Sequence, residues 1–378
     1  MPERTREIIR TAETAVIKVG TAVITTSDAA LDRRTMRRLA AEIAALTASG
    51  RRVALVSSGA IGAGLGHLGI AKRPTALPQL QAAAATGQAR LMLAWDEAFA
   101  EHDLRTAQIL LTGEDFDDRA RYLNVRNTIH ALWDFGAVPI INENDTVSVD
   151  EIKLGDNDVL SAMVTHMLRA DCLVILSVVD GLLDPSAGTR VPVVEAVTDE
   201  TRALVSGAGT ALGVGGMATK LAAAQRATEG GEPVVIANGA TAGALGRIFN
   251  GDDEGTLFLP KAQRMQSRKR WIGLTARPAG TVVVDAGARR ALEQRGKSLL
   301  PSGVLSVTGR FEHGDVVAIL DEAGHEFARG LVNYSAADAA LIAGLNSRDI
   351  RRTLGSKPYD ELIHRDNLVL CGTSASSD

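Results

Sequence analysis

The chain is poor in cysteine, with Cys172 in an apolar run and Cys371 near the end as its only two. That excludes a disulfide framework and a cysteine-built zinc site. Aromatic residues make up only 3%, so a core has to come mainly from Ala, Val, Leu and Ile. No apolar run approaches the roughly 20 residues that cross a bilayer. The opening Met1-Pro-Glu-Arg-Thr-Arg-Glu mixes charges, and no apolar segment with a cleavage site follows it, so a cytoplasmic protein away from membranes is expected. An excess of one charge is missing too. With 41 Lys+Arg against 45 Asp+Glu and a net −4, there is no global field to draw in nucleic acid or anionic lipid. The seven histidines fall into no metal-ligand spacing, and no Ser/His/Asp arrangement can be argued.

What is present is a globular composition, 46% hydrophobic and 23% charged over 378 residues. That length corresponds to about two domains. The 37 glycines imply many tight backbone turns. Short β-branched runs alternate with helical patterns through the first two-thirds. Residues 14–25 read as a strand interrupted by Gly20, 32–49 as a helix stopped by Gly50, 52–57 as a strand and 78–102 as an Ala-rich helix. Runs 137–142, 172–179 and 233–237 read as buried strands, with helical stretches at 158–169 and 217–229 between them. Near-continuous apolar strands alternating with helices predict a mostly parallel sheet covered on both faces, with any ligand at the carboxyl ends of the strands. After Phe258 a basic stretch runs from Lys261 to Trp271, and beyond Pro278 the runs shorten and are punctuated by Gly and Asp. Residues 278–356 therefore read as a small β-rich domain with one or two helices, and the end of the chain as a disordered tail.

Three motifs invite over-reading. Gly64-Leu-Gly-His-Leu-Gly69 and 213–218 match the dinucleotide pattern, but neither is followed about 20 residues on by the acidic residue which that reading needs. Gly296-Lys-Ser298 resembles the end of a P-loop, yet Ala291 stands where its first Gly belongs and helical sequence precedes it.

Four other segments carry chemistry at expected strand ends. Lys18 lies inside an apolar run beside Gly20 and Thr21. A buried Lys is costly unless it is paired or binds an anion, although a Lys reaching out from a strand end is the other reading. Ser57-Ser58-Gly-Ala60 follows the second strand, as a donor-rich ligand loop or a plain turn. Asn142-Glu-Asn-Asp145 and Lys153-Leu-Gly-Asp156-Asn-Asp158 cluster short polar side chains suited to an ammonium group or to orienting a lysine, or else to turns and a helix cap. Gly213-Val-Gly-Gly-Met217-Ala-Thr-Lys220 enters a helix with glycines and a Lys, a physical anion site. Two lysines, two Gly-rich turns and an Asp/Asn loop describe phosphoryl transfer without a P-loop.

These segments resemble the amino-acid kinase superfamily and, within it, the bacterial glutamate 5-kinase family. The similarity runs across nearly the whole chain. It includes Lys18-Val-Gly-Thr, Ser58-Gly-Ala-Ile, 108–112, Ile141-Asn-Glu-Asn-Asp145, Gly155-Asp-Asn-Asp158, Gly215-Gly-Met-Ala-Thr-Lys220, Gly255-Thr-Leu-Phe258 and Arg268-Lys-Arg-Trp-Ile272. The last part is similar to a PUA domain. The resemblance implies an open αβα sandwich with a mostly parallel central sheet, plus a small β-rich PUA-like C-terminal domain. Its boundaries would be a catalytic domain over 12–260, a basic linker over 261–277, the PUA-like domain over 278–356 and a tail over 371–378.

By the same resemblance, ATP phosphorylates the γ-carboxylate of L-glutamate, the first step of proline biosynthesis. Ser58, Asp145 and Asn157 match glutamate-binding positions. Lys18 and Lys220 match the lysines on the transferring phosphoryl group, and Asp158 the aspartate that organises them. Lys18, Gly20, Ser177, Val178, Val214, Gly215, Gly216, Met217, Ala218, Thr219 and Lys220 match ATP-binding positions. Val178 departs from the family, which has Asp there; Asp180 would face the same way if the strand continued. Mg²⁺ is implied, chiefly on phosphate oxygens and without assigned protein ligands. So are a homo-oligomer, dimer or tetramer, and feedback inhibition by L-proline. The acceptor carboxylate, with an ordinary pKa near ~4.3, is ionised at neutral pH and needs no general base.

The competing readings are another amino-acid or carbamate kinase of the same fold and an RNA-binding PUA protein. Residues 278–370 hold 11 Lys+Arg against 12 Asp+Glu, which lacks the basic stripe of an RNA-binding face.

Overall fold

The computed structural model describes residues 2–26, 30–147, 157–205, 216–261, 269, 271–346, 348–355 and 359–371. The chain divides into two compact units, Met1–Arg264 and Met265–Asp378.

The first unit is built on strands β1 (Thr14–Val19), β2 (Arg52–Ser57), β3 (Arg105–Leu111), β4 (Ala137–Glu143) and β5 (Cys172–Ser177). A two-stranded ribbon of β6 (Leu183–Asp184) and β7 (Thr189–Arg190) follows, then β8 (Val193–Val194), β9 (Val234–Asn238) and β10 (Thr256–Phe258). The main sheet has the order β3-β4-β2-β1-β5-β9-β10-β8, and only the β9/β10 pair is antiparallel. From β1 the chain builds outward through β2, β3 and β4 on one side, then returns to build β5 and β9 on the other. The topological switch point, where ligands of open α/β sheets sit, is thus β1.

Period-two alternation divides β1 between two layers. Ala15, Ile17 and Val19 pack with Met36, Leu39, Leu91 and Trp95 of the helices Arg33–Ala48 and Leu77–Ala100. Val16 and Lys18 are equally buried on the opposite face, where the helix Asn157–Leu168 supplies the partner of Lys18. Helix ends follow local chemistry. Asp32 accepts from the Arg34 and Thr35 amides at the start of Arg33–Ala48, and Gly50, at φ +91°, turns the chain at its end.

The second unit is a five-stranded sheet, β12-β11-β13-β14-β15, of β11 (Gly280–Val284), β12 (Val304–Gly309), β13 (Val316–Leu320), β14 (Glu326–Val332) and β15 (Ile363–Leu370). Val282, Val284, Leu292, Val317, Ile319 and Phe327 form its core.

Several expectations change. Residues 14–25 are not one interrupted strand, because Thr21–Ile24 is a helical turn after Gly20. The helices Pro2–Arg10 and Arg119–Asp134 went unread, the latter because Tyr122 and Ile129 are its only fully buried residues. The second unit holds three α-helices among the described residues, Ala286–Arg295, Ala336–Ile342 and Ile350–Leu354, besides a π-helical turn at Trp271–Thr275 and a 3-10 turn at Pro301–Gly303. The glycines of the Gly64 and Gly296 motifs have packing and turn roles. A Cβ on Gly64 would stand 1.8 Å from Ala83 O, and one on Gly87 the same distance from Ala60 O, so these glycines let two helices touch. Gly296 ends Ala286–Arg295 in a left-handed conformation. The 372–378 part of the expected tail lies outside the described residues.

Candidate active site

The carboxyl ends of parallel strands meet at one edge of the first sheet. In-register pairing aligns Lys18 with Val56 of β2 and with Ile175 of β5, so the ends of β1, β2 and β5 form a common rim. Above it, Asn157–Leu168 and Met217–Gly230 both begin.

Asp158 is fully buried and bridges two lysines, each 5% exposed. Its Oδ1 pairs with Lys18 Nζ, and its Oδ2 lies 3.1 Å from Lys220 Nζ. The Thr219 hydroxyl stands between Asp158 Oδ2 at 3.1 Å and Gly216 O at 2.8 Å. Taking charges out of water costs several kcal/mol per ion unless geometry and hydrogen bonds compensate. Among the described residues, two ammonium groups share this one carboxylate. An anion placed between the lysines completes the cluster, and the N-cap Gly216 brings no side-chain bond to the first turn of the helix beside it. Gly20 acts differently from the sequence expectation. Its N–H is taken by Leu176 O at 3.0 Å, and a Cβ there would lie 3.6 Å from Lys18 Nζ. It offers no amide to a phosphate; it keeps the lysine's surroundings open.

The second cluster is a chain of amides. The two protons of Asn157 Nδ2 face three acceptors, Asn142 Oδ1 (2.8 Å), Ser58 Oγ (2.9 Å) and, sharing a proton at longer range, Ser57 O (3.3 Å). Asn142 Nδ2 donates to Gln88 Oε1 at 2.7 Å, and Trp95 Nε1 to Ser57 Oγ at 2.9 Å. Asn157 Oδ1 and Gln88 Nε2 are buried and have no hydrogen-bond partner among the described residues. Such orphans cost about 1–3 kcal/mol each, which a bound polar ligand relieves. Gln88 and Trp95, two turns apart on Leu77–Ala100, thus hold the ends of β4 and β2 from one helix face. Sequence reading missed both. The available signal was a Gln and a Trp at i, i+7 in an otherwise Ala-rich helix.

The structure brings Lys18, Ser58, Asn157, Asp158, Thr219 and Lys220 together through these bonds. Asp145 sits in the turn after β4. Ser177 ends β5 and accepts from Gly239 N at 2.7 Å. Val178 is 51% exposed, and Met217 and Ala218 begin their helix. Val214, Gly215, Lys153 and Asp156 lie outside the described residues. Because β5 stops at Ser177, Asp180 does not continue its alternation; its carboxylate instead accepts from Asn238 Nδ2 at 2.8 Å. Burial pushes the Cys172 thiol up to about 12, which removes it as a nucleophile. Among the described residues no three His, Cys, Asp or Glu side chains are grouped to hold a metal, and no helix is long and apolar enough to cross a membrane.

Comparison with known proteins matches residues 13–238 to the amino acid kinase family and 280–354 to the PUA domain. The glutamate 5-kinase of Citrifermentans bemidjiense is 47% identical over 371 residues, 97% of this chain and 99% of that protein. That of Bordetella petrii is 50% identical over 368 residues, 96% and 97% of the two chains. Among solved structures, carbamate kinase from Giardia lamblia bound to AMP-PNP aligns with a TM-score of 0.49 at 19% identity, covering 67% of this chain and all of that one. With the family match spanning the parallel-sheet unit and the relatives spanning nearly the whole length, the chain belongs to the amino acid kinase family, in its glutamate 5-kinase branch.

Proposed function

We propose that the protein transfers the γ-phosphoryl group of ATP to the side-chain carboxylate of L-glutamate, giving L-glutamyl 5-phosphate, the entry to proline biosynthesis. The observation that carries this reading is Asp158 buried between Lys18 and Lys220 at the switch point of the sheet. In-line attack joins two anions, and catalysis is mostly positioning and charge stabilisation. Asp158 holds the two ammonium groups at a fixed spacing; they take up charge as it spreads over the transferring oxygens. Ser58, Asp145 and Asn157 bind glutamate on the β2/β4 side. Ser177, Val178 and the 214–220 segment bind ATP on the β5 side, Gly20 leaving room for its phosphates. Mg²⁺ would add charge neutralisation at the phosphates of ATP, and Asp158, engaged by the two lysines, would be left to position them.

The reading includes 12–260 as the catalytic domain, 261–277 as connector, 278–356 as the PUA-like domain and 371–378 as a tail. A cytoplasmic location, a homo-oligomer and inhibition by L-proline belong to it through the family resemblance. Incubation with ATP, Mg²⁺, L-glutamate and hydroxylamine tests it, since an acyl phosphate is trapped as a hydroxamate. Absence of glutamate-dependent hydroxamate defeats the reading. Product with carbamate or another amino acid in place of glutamate gives the site to a different kinase of this fold.

A further inference from the structure

Three side-chain amides stand in series at the rim of the sheet, and the direction of each is fixed by the one before it. The Ser57 carbonyl oxygen only accepts, so the side of the Asn157 amide facing it is Nδ2. That nitrogen also faces Asn142, whose near atom must then be Oδ1, at 2.8 Å. The Asn142 Nδ2 is thereby turned toward Gln88, which must present Oε1, at 2.7 Å. Reversing any one amide sets oxygen against oxygen or nitrogen against nitrogen along the chain. Asn157 Oδ1 emerges at one end as a buried acceptor without a hydrogen-bond partner among the described residues, in a side chain 8% exposed.

We propose that Gln88 is a positioning residue for substrate selection: through Asn142 it locks the Asn157 amide with Oδ1 as the free acceptor, oriented for the α-ammonium group of the amino-acid substrate. The proposal rests on the glutamate reading and adds the residue that holds, from the far end of the series, the polarity which the Ser57 carbonyl starts. Gln88 belongs to neither the phosphoryl-transfer cluster nor the ammonium contact; it acts two bonds away. The helix that carries it is held in place locally. Gly87 lies against Ala60 O, and Trp95 Nε1 bonds Ser57 Oγ, so the helix that orients Asn142 also anchors the residue whose carbonyl starts the series.

The test compares Gln88→Met, which removes the acceptor, with Gln88→Glu, which keeps one. Loss of one orienting hydrogen bond is expected to raise KM for glutamate about 5- to 10-fold in Gln88→Met. KM for ATP, and kcat at saturating glutamate, are expected to stay within about twofold, because Asp158 and the lysines are untouched. Gln88→Glu is expected to restore a KM for glutamate near that of the parent. A merely structural role would move both KM values and the melting temperature together, and would not depend on an acceptor at position 88. An unchanged KM for glutamate in Gln88→Met, equal changes in both KM values, or no rescue by Glu overturns the proposal. Should Gln88→Met fail to fold, Asn142→Ala breaks the same series one link on. The same split is expected there, and an unchanged KM for glutamate again overturns it. Parent protein that forms no glutamate hydroxamate refutes the functional reading itself, whereas active parent with unaltered variants refutes only the amide relay.

Discussion

The helices Asn157–Leu168 and Met217–Gly230 are joined near both ends by buried polar groups, and the two junctions are built on opposite principles. Near their starts, Asp158 takes Lys220 from the neighbouring helix and Lys18 from β1. Near their ends, His166 places Nδ1 2.8 Å from Glu232 Oε2 and Nε2 2.9 Å from Arg226 O, with His166 and Glu232 both fully buried. At the far junction each ring nitrogen of His166 has an oxygen partner from the chain. At the near junction, among the described residues, one carboxylate is shared by two ammonium groups at the switch point of the sheet, where ligands of open α/β folds bind. Burial alone does not separate a functional polar cluster from a structural one; position does, the near junction standing at the carboxyl ends of the strands beside the switch point and the far one away from them.

The comparison breaks if the two junctions respond alike to mutation. The largest expected effect is at the near one. Lys220→Ala removes a charge needed chiefly in the transition state, so kcat is expected to fall about 10²-fold or more, with KM for glutamate little changed. Steady-state kinetics on folded protein checks this, and parental kcat would end the catalytic assignment of Lys220. His166→Ala should do the reverse. Removing one partner of a buried pair costs about 3–5 kcal/mol, so chemical denaturation is expected to show a much weakened first unit while kcat per folded molecule stays near the parent. A loss of kcat at full folding would mean that the far junction also sets the spacing of Asp158 and Lys220.

Legibility in the sequence follows the same division. Lys18 could be picked out because it interrupts an apolar strand just before Gly20, and Asn157, Asp158 and Lys220 because each follows a run of Gly or short polar residues that leads into a helix. The strands could be read because their faces are buried on both sides. His166 and Glu232 carry no local signal: a His in a helix and a Glu after Gly231 are ordinary surface choices, and only packing brings positions 66 apart into contact. Gln88 and Trp95 were hidden for the same reason, with partners 54 and 38 residues away. Thr21–Ile24 was misread because its β-branched residues favour a strand, whereas Gly20, bonded to Leu176 O, has already turned the chain out of β1.

A weaker effect is expected on the nucleotide side of the near junction. Val178 is exposed where the family resemblance places a carboxylate, and Asp180 is already engaged by Asn238. A regained hydrogen bond to a charged group is worth about 1.5–3 kcal/mol. Val178→Asp is therefore expected to lower KM for ATP by roughly 10-fold or more with kcat little changed. An unchanged or raised KM for ATP would show that Val178 serves the nucleotide as it stands.

The smallest effect sharpens what holds the near junction in place. The Thr219 hydroxyl lies within reach of both Asp158 Oδ2 and Gly216 O, so its single proton is divided between a carboxylate and the start of the helix. A shared bond contributes less than a full one. Removing it in Thr219→Val is expected to cost about 0.5–1.5 kcal/mol, read as a two- to tenfold drop in kcat. The charges of Lys18, Asp158 and Lys220 all remain, so the loss must stay well below that of Lys220→Ala. Thr219→Ser keeps the hydroxyl and drops only the methyl group, and should recover most of the rate. If Thr219→Val keeps the rate and Thr219→Ser loses it, the methyl group and not the hydrogen bond fixes the carboxylate, and the near junction is held by packing as well as by charge.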